Sequence, residues 1–216
     1  MIISCIGHAK FLIELENGLR IVTDPYDATC GYPVTEISAD VVLVSHGHHD
    51  HSAVDTVRGV ETVIDAAGTY ALPEDVTIRA VEADHDDAGG SKRGKTLLFC
   101  IEAEGLRVMH LGDLGHVPTE AQLAALGSAD VLMIPVGGFY TIDAPTAVTV
   151  AGLLNARVVL PMHYKTSANA DWPIAGIEAY TALCDEPVEF LDLLRVARGD
   201  LSCQPASAVL KPTSLR

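Results

Sequence analysis

The chain has 216 residues, 49% hydrophobic and 20% charged, which suits a single globular domain over residues 1–216 and excludes an intrinsically disordered chain. Fourteen basic against twenty-nine acidic residues leave a net charge of −15, a field that repels phosphate backbones and argues against nucleic acid as a partner. The start Met1-Ile2-Ile3-Ser4-Cys5 lacks the features of a secretory signal and no apolar run reaches membrane-spanning length, so a cytoplasmic protein without a membrane partner is expected.

Residues 1–6 read as a strand, Gly7-His8-Ala9 as a turn and residues 11–15 as a second strand. Asn17-Gly18 is a hairpin signal that returns residues 19–23, and Asp24-Pro25 stops that strand. The apolar run 41–44 reads as a buried strand that delivers Ser45-His46-Gly47-His48-His49-Asp50-His51-Ser52 to one end of a sheet. Ser52 is then expected to cap a helix to about residue 58, with Asp55 in its first turn. Residues 61–65 form a short strand, 68–72 a turn of helix and 76–81 a strand, before the loop Asp84-His85-Asp86-Asp87-Ala88-Gly89-Gly90.

Residues 95–102 and 106–109 make a hairpin ending in His110-Leu111-Gly112-Asp113-Leu114-Gly115-His116. His110 lies inside the strand pattern and reads as a satisfied core histidine or one that backs a ligand. His116 fits either a structural or a site role, with a place near the helix start at residues 118–120 favoured. A helix to about residue 126 precedes the strand 130–135 and the loop Gly137-Gly138-Phe139-Tyr140-Thr141. A helix over 144–155 and a strand over 157–161 lead to Met162-His163-Tyr164-Lys165-Thr166. A last helix over 174–184 and a strand over 188–194 follow, and residues 211–216 are expected to fray. The five cysteines are odd in number, far apart and never in Cys-x-x-Cys spacing, as reduced thiols are.

Four of the nine histidines and one carboxylate fall within positions 46–51. Imidazole and carboxylate donors without thiolates suit zinc, manganese, iron or nickel, and such sites usually keep a position open for water. Gly47 and the alternate spacing of His46 and His48 favour a loop over a helix, whose neighbouring side chains are three or four apart. His85, Asp113 and His163 also follow apolar strands, so strand ends gather them at one sheet edge. His8 and Asp24 lie at strand ends too, with an ordinary turn role weighing equally.

The order His-x-His-x-Asp-His, an isolated histidine, Gly-Asp and Pro-Met-His-Tyr resembles the metallo-β-lactamase superfamily over about residues 2–195. Ile6-Gly7-His8, Thr23-Asp24-Pro25 and Leu160-Pro161-Met162-His163-Tyr164 are similar to its small hydrolase branch, which includes ascorbate-6-phosphate lactonase-like proteins and members of unassigned substrate. The resemblance implies an α/β fold, a four-layer αββα sandwich, with two divalent metal ions at one edge of the paired sheets. Zinc is the expected ion. His46, His48 and His85 would hold one ion, Asp50, His51 and His163 the other, and Asp113 would bridge them. The sequence departs from the common pattern at Leu114, where many relatives carry a small hydroxyl residue, and in the acidic residues after His85.

Two divalent ions about 3.5 to 4 Å apart can share a hydroxide and polarise a carbonyl or phosphoryl oxygen. Asp50 is the candidate to orient or deprotonate that water as well as to bind metal. His8 and Asp24 are expected behind the ligands, where a carboxylate fixes a ligating imidazole. Tyr140, Thr141 and Lys165 are candidates for contact with a small-molecule substrate. The leading function is hydrolysis of a small ester, lactone or phosphorylated compound. The alternatives are a phosphodiesterase or nuclease of the same superfamily, and a metal- or ligand-binding protein without turnover.

Overall fold

The computed structural model describes residues 1–215. In chain order the strands are β1 (Ile2–Gly7), β2 (Lys10–Glu14), β3 (Arg20–Thr23), β4 (Ile37–Ser38), β5 (Val41–Leu43), β6 (Val57–Arg58), β7 (Thr62–Ile64) and β8 (Gly68–Leu72). They continue with β9 (Val76–Asp84), β10 (Lys95–Ala103), β11 (Leu106–His110), β12 (Val131–Pro135), β13 (Val158–Met162), β14 (Glu189–Leu191), β15 (Leu194–Arg195) and β16 (Ala208–Leu210). The helices are α1 (Glu120–Leu126), α2 (Ala144–Leu153) and α3 (Glu178–Thr181).

Two six-stranded sheets, ordered β15-β1-β2-β3-β5-β7 and β13-β12-β11-β10-β9-β8, face each other. Period-two alternation explains why: Phe11 and Ile13 of β2 point into the inter-sheet core, while Leu12 between them packs on the outer face. From the second sheet Ile78, Phe99, Ile101, Val108 and Met133 complete that core. The second sheet is apolar on both faces, since Leu98, Cys100, Leu132 and Ile134 pack outward against Leu126 of α1, Ala147 and Val150 of α2 and Tyr180 of α3. The result is the αββα sandwich of the metallo-β-lactamase fold. Its outer layer on the first sheet is reduced to a 3-10 turn and the β4–β6 ribbon, which cover Leu12, Val22 and Val42 with Ile37, Val54 and Val57.

Several local expectations give way to tertiary pairing. Residues 52–58 form a single 3-10 turn, Val54–Thr56, followed by β6. Ser52 donates its hydroxyl to the His48 carbonyl, 2.9 Å away, in place of capping a helix, and β-branched Val57 pairs with Ile37. Residues 68–72 are a strand, because a turn with Glu74 and Asp75 both at positive φ folds β8 back on β9. Within 174–184 only α3 is helical: the Ala175 N–H bonds to Gly137 O and its carbonyl accepts from Lys165, which holds the segment's start extended. The 188–194 strand divides into β14, paired with β16, and β15, paired with β1. The expected fraying end instead places a 3-10 turn, Thr213–Leu215, against β1 with Ser214 buried; Arg216 lies outside the described residues.

Among the described residues no helix is long and apolar enough to cross a membrane. β3, β5 and β7 run parallel, as do β11, β12 and β13, so their carboxyl ends open on one edge of each sheet, where ligands of open α/β sheets gather.

Candidate metal centre

Strand ends aim the site residues, and the backbone there is unusual. His8 follows β1, Asp24 follows β3 and His163 follows β13, with φ of 55°, 39° and 52° respectively. Non-glycine residues seldom adopt the left-handed region, and where they do the surrounding structure must hold them. For Asp24 the hold is visible. Its carboxylate accepts from the Ser45 N–H at 2.7 Å, from the Ser45 hydroxyl at 2.7 Å and from His51 Nδ1 at 2.8 Å. Ser45 Oγ in turn lies 2.9 Å from His46 Nδ1. With the hydroxyl donating to Asp24, His46 Nδ1–H must donate to Ser45, so one buried carboxylate fixes two imidazoles and leaves Nε2 of both free to face inward. Gly112, at φ 47°, lets Asp113 approach from the opposite side: a Cβ there would stand 2.7 Å from Ser45 Cβ and 2.6 Å from Thr96 Oγ1.

Asp113 is the centre of the cluster. Its Oδ2 lies 3.4 Å from His85 Nε2, 3.2 Å from His163 Nε2 and 3.9 Å from His46 Nε2, and its Oδ1 lies 3.3 Å from His51 Nε2. On one side His46 Nε2 is 3.0 Å from His48 Nδ1, and these two with His85 form a group able to hold an ion. On the other side His8, Asp50, His51 and His163 form a second such group, with Asp50 Oδ2 at 3.3 Å from His8 Nε2 and 3.5 Å from His51 Nε2.

The donor set fits divalent cations. Asp113 Oδ1, His51 Nε2 and both nitrogens of His8 are buried without an aligned hydrogen bond, and each such atom costs about 1–3 kcal/mol unless something satisfies it. Protonation follows the same logic. Burial, then the neighbouring His51 charge, pushes His46 down to about 3, and burial with His163 pushes His8 down to about 4, so both rings are neutral donors. Burial alone would also lower His51, but Asp113 and Asp24 on either side raise it well above its ordinary value. Burial would raise Asp50 and Asp113. His51 and His8 outweigh it at Asp50, as do His163 and His51 at Asp113, and both carboxylates stay ionised. Without metal, the His51 proton thus does part of a cation's work.

His8 stands inside the cluster and not behind it, its ring 4.2 Å from that of His163. His110 is turned away: Nε2 donates to Ala9 O at 2.9 Å and Nδ1 accepts from Gly112 N at 3.2 Å. His116 is spent on backbone, accepting from Asp84 N at the end of β9 and donating to Val117 O. The acidic residues after His85 are engaged within their own loop, Asp87 pairing with Lys92. Asp86 accepts four backbone N–H groups, from Ala88, Gly90, Lys92 and Arg93, which tie the 86–94 loop into a knot.

Over the cluster lies a cleft of about 360 Å³, lined by His48, His49, Asp50, His85, Asp113, His163, Tyr140, Arg93 and Trp172. Of the three expected substrate contacts only Tyr140 lines it. Thr141 faces the adjoining cavity with its hydroxyl bonded to Ile142 O. Lys165 does not line the cleft, and its N–H pairs with Ala175 O in a bridge to the 174–176 segment. Arg93 and Trp172 were not legible as site residues, since each reaches the cleft from an irregular loop without metal-ligand spacing. A larger groove at the far edge, lined by Glu74, Glu102, Glu104 and Arg107, holds no histidine.

The sequence profile of the β-lactamase superfamily domain matches residues 2–163, three quarters of the chain and all of the cluster. The chain belongs to the metallo-β-lactamase superfamily. Among members of that superfamily, it is 32% identical to a UPF0173 metal-dependent hydrolase of Carboxydothermus hydrogenoformans over 82% of this chain and 88% of the relative. It is 38% identical to a crystallised candidate zinc-dependent hydrolase of the superfamily from Thermotoga maritima, with a TM-score of 0.79 and 97% of each chain covered. Igni18, a metallo hydrolase of Ignicoccus hospitalis, shares the metallo-β-lactamase fold at 24% identity and a TM-score of 0.60, over 76% of this chain and 82% of Igni18.

Proposed function

We propose that the protein is a metal-dependent hydrolase that employs two divalent cations, zinc being the expected ion, on a compact ester, lactone or phosphorylated substrate. The observation that carries this reading is the position of Asp113, whose carboxylate stands 3.2–3.9 Å from histidines of two separate groups. One group, His46, His48 and His85, would hold one ion; Asp50, His51 and His163 would hold the other; Asp113 would bridge. When bound there, divalent cations lower the pKa of water and polarise a carbonyl or phosphoryl oxygen. Asp24 fixes the imidazoles of His46 and His51. Asp50, whose Oδ2 lies at the edge of the cleft 3.3 Å from His8 Nε2 and 3.5 Å from His51 Nε2, is suited to orient water by accepting its hydrogen bond. The size of the cleft favours a small molecule over a polymer. A cytoplasmic location belongs to the same proposal, since no disulfide joins the five cysteines among the described residues.

The test is a panel of esters, lactones, thioesters and phosphodiesters offered to zinc- and manganese-loaded protein, with metal content measured alongside. Ester or lactone turnover that chelation abolishes and metal restores is expected. Turnover confined to long RNA or DNA would favour a phosphodiesterase, and two bound metals without any turnover would favour a binding protein.

A further inference from the structure

In an acidic protein, a positive charge left without a counter-charge beside a reaction site is conspicuous. Arg93 is the only arginine or lysine among the residues lining the cleft. It is half-buried, and among the described residues its guanidinium makes no ion pair. It lies 5.5 Å from the ring centroid of Tyr140 and 6.0 Å from that of Phe139, a cation–π setting that holds a guanidinium in place without neutralising it. Lys92, next to it, is exposed and already paired with Asp87 at 2.6 Å.

The loop is built to present Arg93. Asp86 is buried, and its Oδ2 accepts the Arg93 N–H at 2.8 Å. Gly115 allows the 112–116 loop to press on this knot, because a Cβ there would lie 2.1 Å from Asp86 N. Trp172 adjoins Tyr140 edge-on, its ring 6.0 Å from that of Tyr140, 5.3 Å from that of His8 and 6.4 Å from that of His163. A substrate above Asp113 thus meets a continuous aromatic wall of Tyr140 and Trp172, with a planar five-donor cation beside it.

We infer that Arg93 docks an anionic group of the substrate, a carboxylate or phosphate remote from the bond that is broken, and so selects anionic over neutral substrates at this site. The inference rests on the hydrolase reading for the word substrate, but the docking itself does not. A guanidinium matches both oxyanions bidentately, and its charge-assisted bonds are stronger inside a cleft than in water. No bond changes at Arg93. Its contribution is to binding and position, the same before and during the chemical step.

Trp172 is the only tryptophan in the chain, so its fluorescence reports occupancy of the cleft independently of turnover. Zinc-loaded protein is titrated with inorganic phosphate and, separately, with succinate. In parallel it hydrolyses 4-nitrophenyl butyrate, which is neutral, and the 4-nitrophenyl monoester of succinate, which carries a carboxylate at similar length. Arg93→Gln should weaken binding of at least one anion about tenfold, with the better-bound anion identifying the source, and raise KM for the charged ester about tenfold. KM for the neutral ester and kcat for both should change less than about twofold, Arg93→Lys should recover part of the loss, and Lys92→Gln should do nothing. Equal effects on the two esters, or unchanged binding of both anions by folded, zinc-replete Arg93→Gln, would overturn the assignment. If wild-type protein hydrolyses neither ester, the substrate panel decides the hydrolase reading and the fluorescence titration alone decides Arg93.

Discussion

Nδ1 of His51 lies 2.8 Å from Oδ2 of Asp24, a residue 27 positions earlier at the end of β3. Both side chains are fully buried, and the same carboxylate anchors the first residue of the histidine loop through Ser45. Asp24→Ala would leave the buried His51 Nδ1–H without its acceptor and release the loop. Removing one member of a buried pair costs about 3–5 kcal/mol, and the expected result is a marked fall in thermal midpoint together with loss of bound metal. A variant that keeps its metal and melts within about a degree of wild type would contradict this coupling.

Asp113 and His110 are neighbours with opposite roles. Asp113 faces histidines of both groups, whereas His110 has both nitrogens committed to backbone. Asp113→Ala should abolish activity and lower metal content. His110→Ala should leave the metal in place and lower stability by about 1–3 kcal/mol, for its unpaired backbone partners and the space it vacates. Metal analysis and denaturant unfolding of the two variants separate these outcomes, and equal metal loss would show the centre to be elsewhere.

The ligand-rich segments were legible because metal chemistry uses few residue types at short spacing after apolar strands: His46, His48, Asp50 and His51 are crowded into one loop, and His85, Asp113 and His163 each follow a strand. Residues that shape the cleft were not, because their placement depends on backbone bonds that no side-chain pattern encodes. Lys165 stands two residues from His163 in sequence, yet it does not line the cleft, and its N–H pairs with Ala175 O. Arg93 reaches the site only because Asp86, seven residues earlier, gathers the intervening N–H groups. Ser52 carried a helix-start signal that the site overrode by using the hydroxyl on His48.

Asp86 offers a test of that construction. Its carboxyl is held down to about 2, against the effect of its burial, by the N–H groups of the 86–94 loop. Asp86→Ala should leave four donors without their acceptor, so amide hydrogen exchange should accelerate at Ala88, Gly90, Lys92 and Arg93 while β9 and β10 stay protected. Metal content should hold. Unchanged exchange across the loop would mean that the knot is maintained by other contacts.

The final prediction concerns protons. In the metal-free fold His51 lies above its ordinary value of about 6.5, so its protonation stabilises that fold below this pH. The contribution fades as pH rises through the folded value. Asp24, Asp50 and Asp113 are shifted the other way, against burial and by their histidine partners, so their contribution is present above an ordinary value of about 3.9 and is lost as pH falls. A cation whose ligand is His51 Nε2 must displace the His51 proton, whereas His46 and His8, neutral at physiological pH, release none. Zinc binding at neutral pH should therefore release a proton, and affinity should rise with pH until His51 is neutral in the metal-free protein. Calorimetric titration in two buffers of different ionisation enthalpy measures this directly, and Asp24→Asn, which withdraws one of the charges holding the proton on His51, should reduce the number released. Binding whose heat is independent of the buffer would show that His51 is neutral before metal arrives, and the electrostatic account of the centre would have to be redrawn.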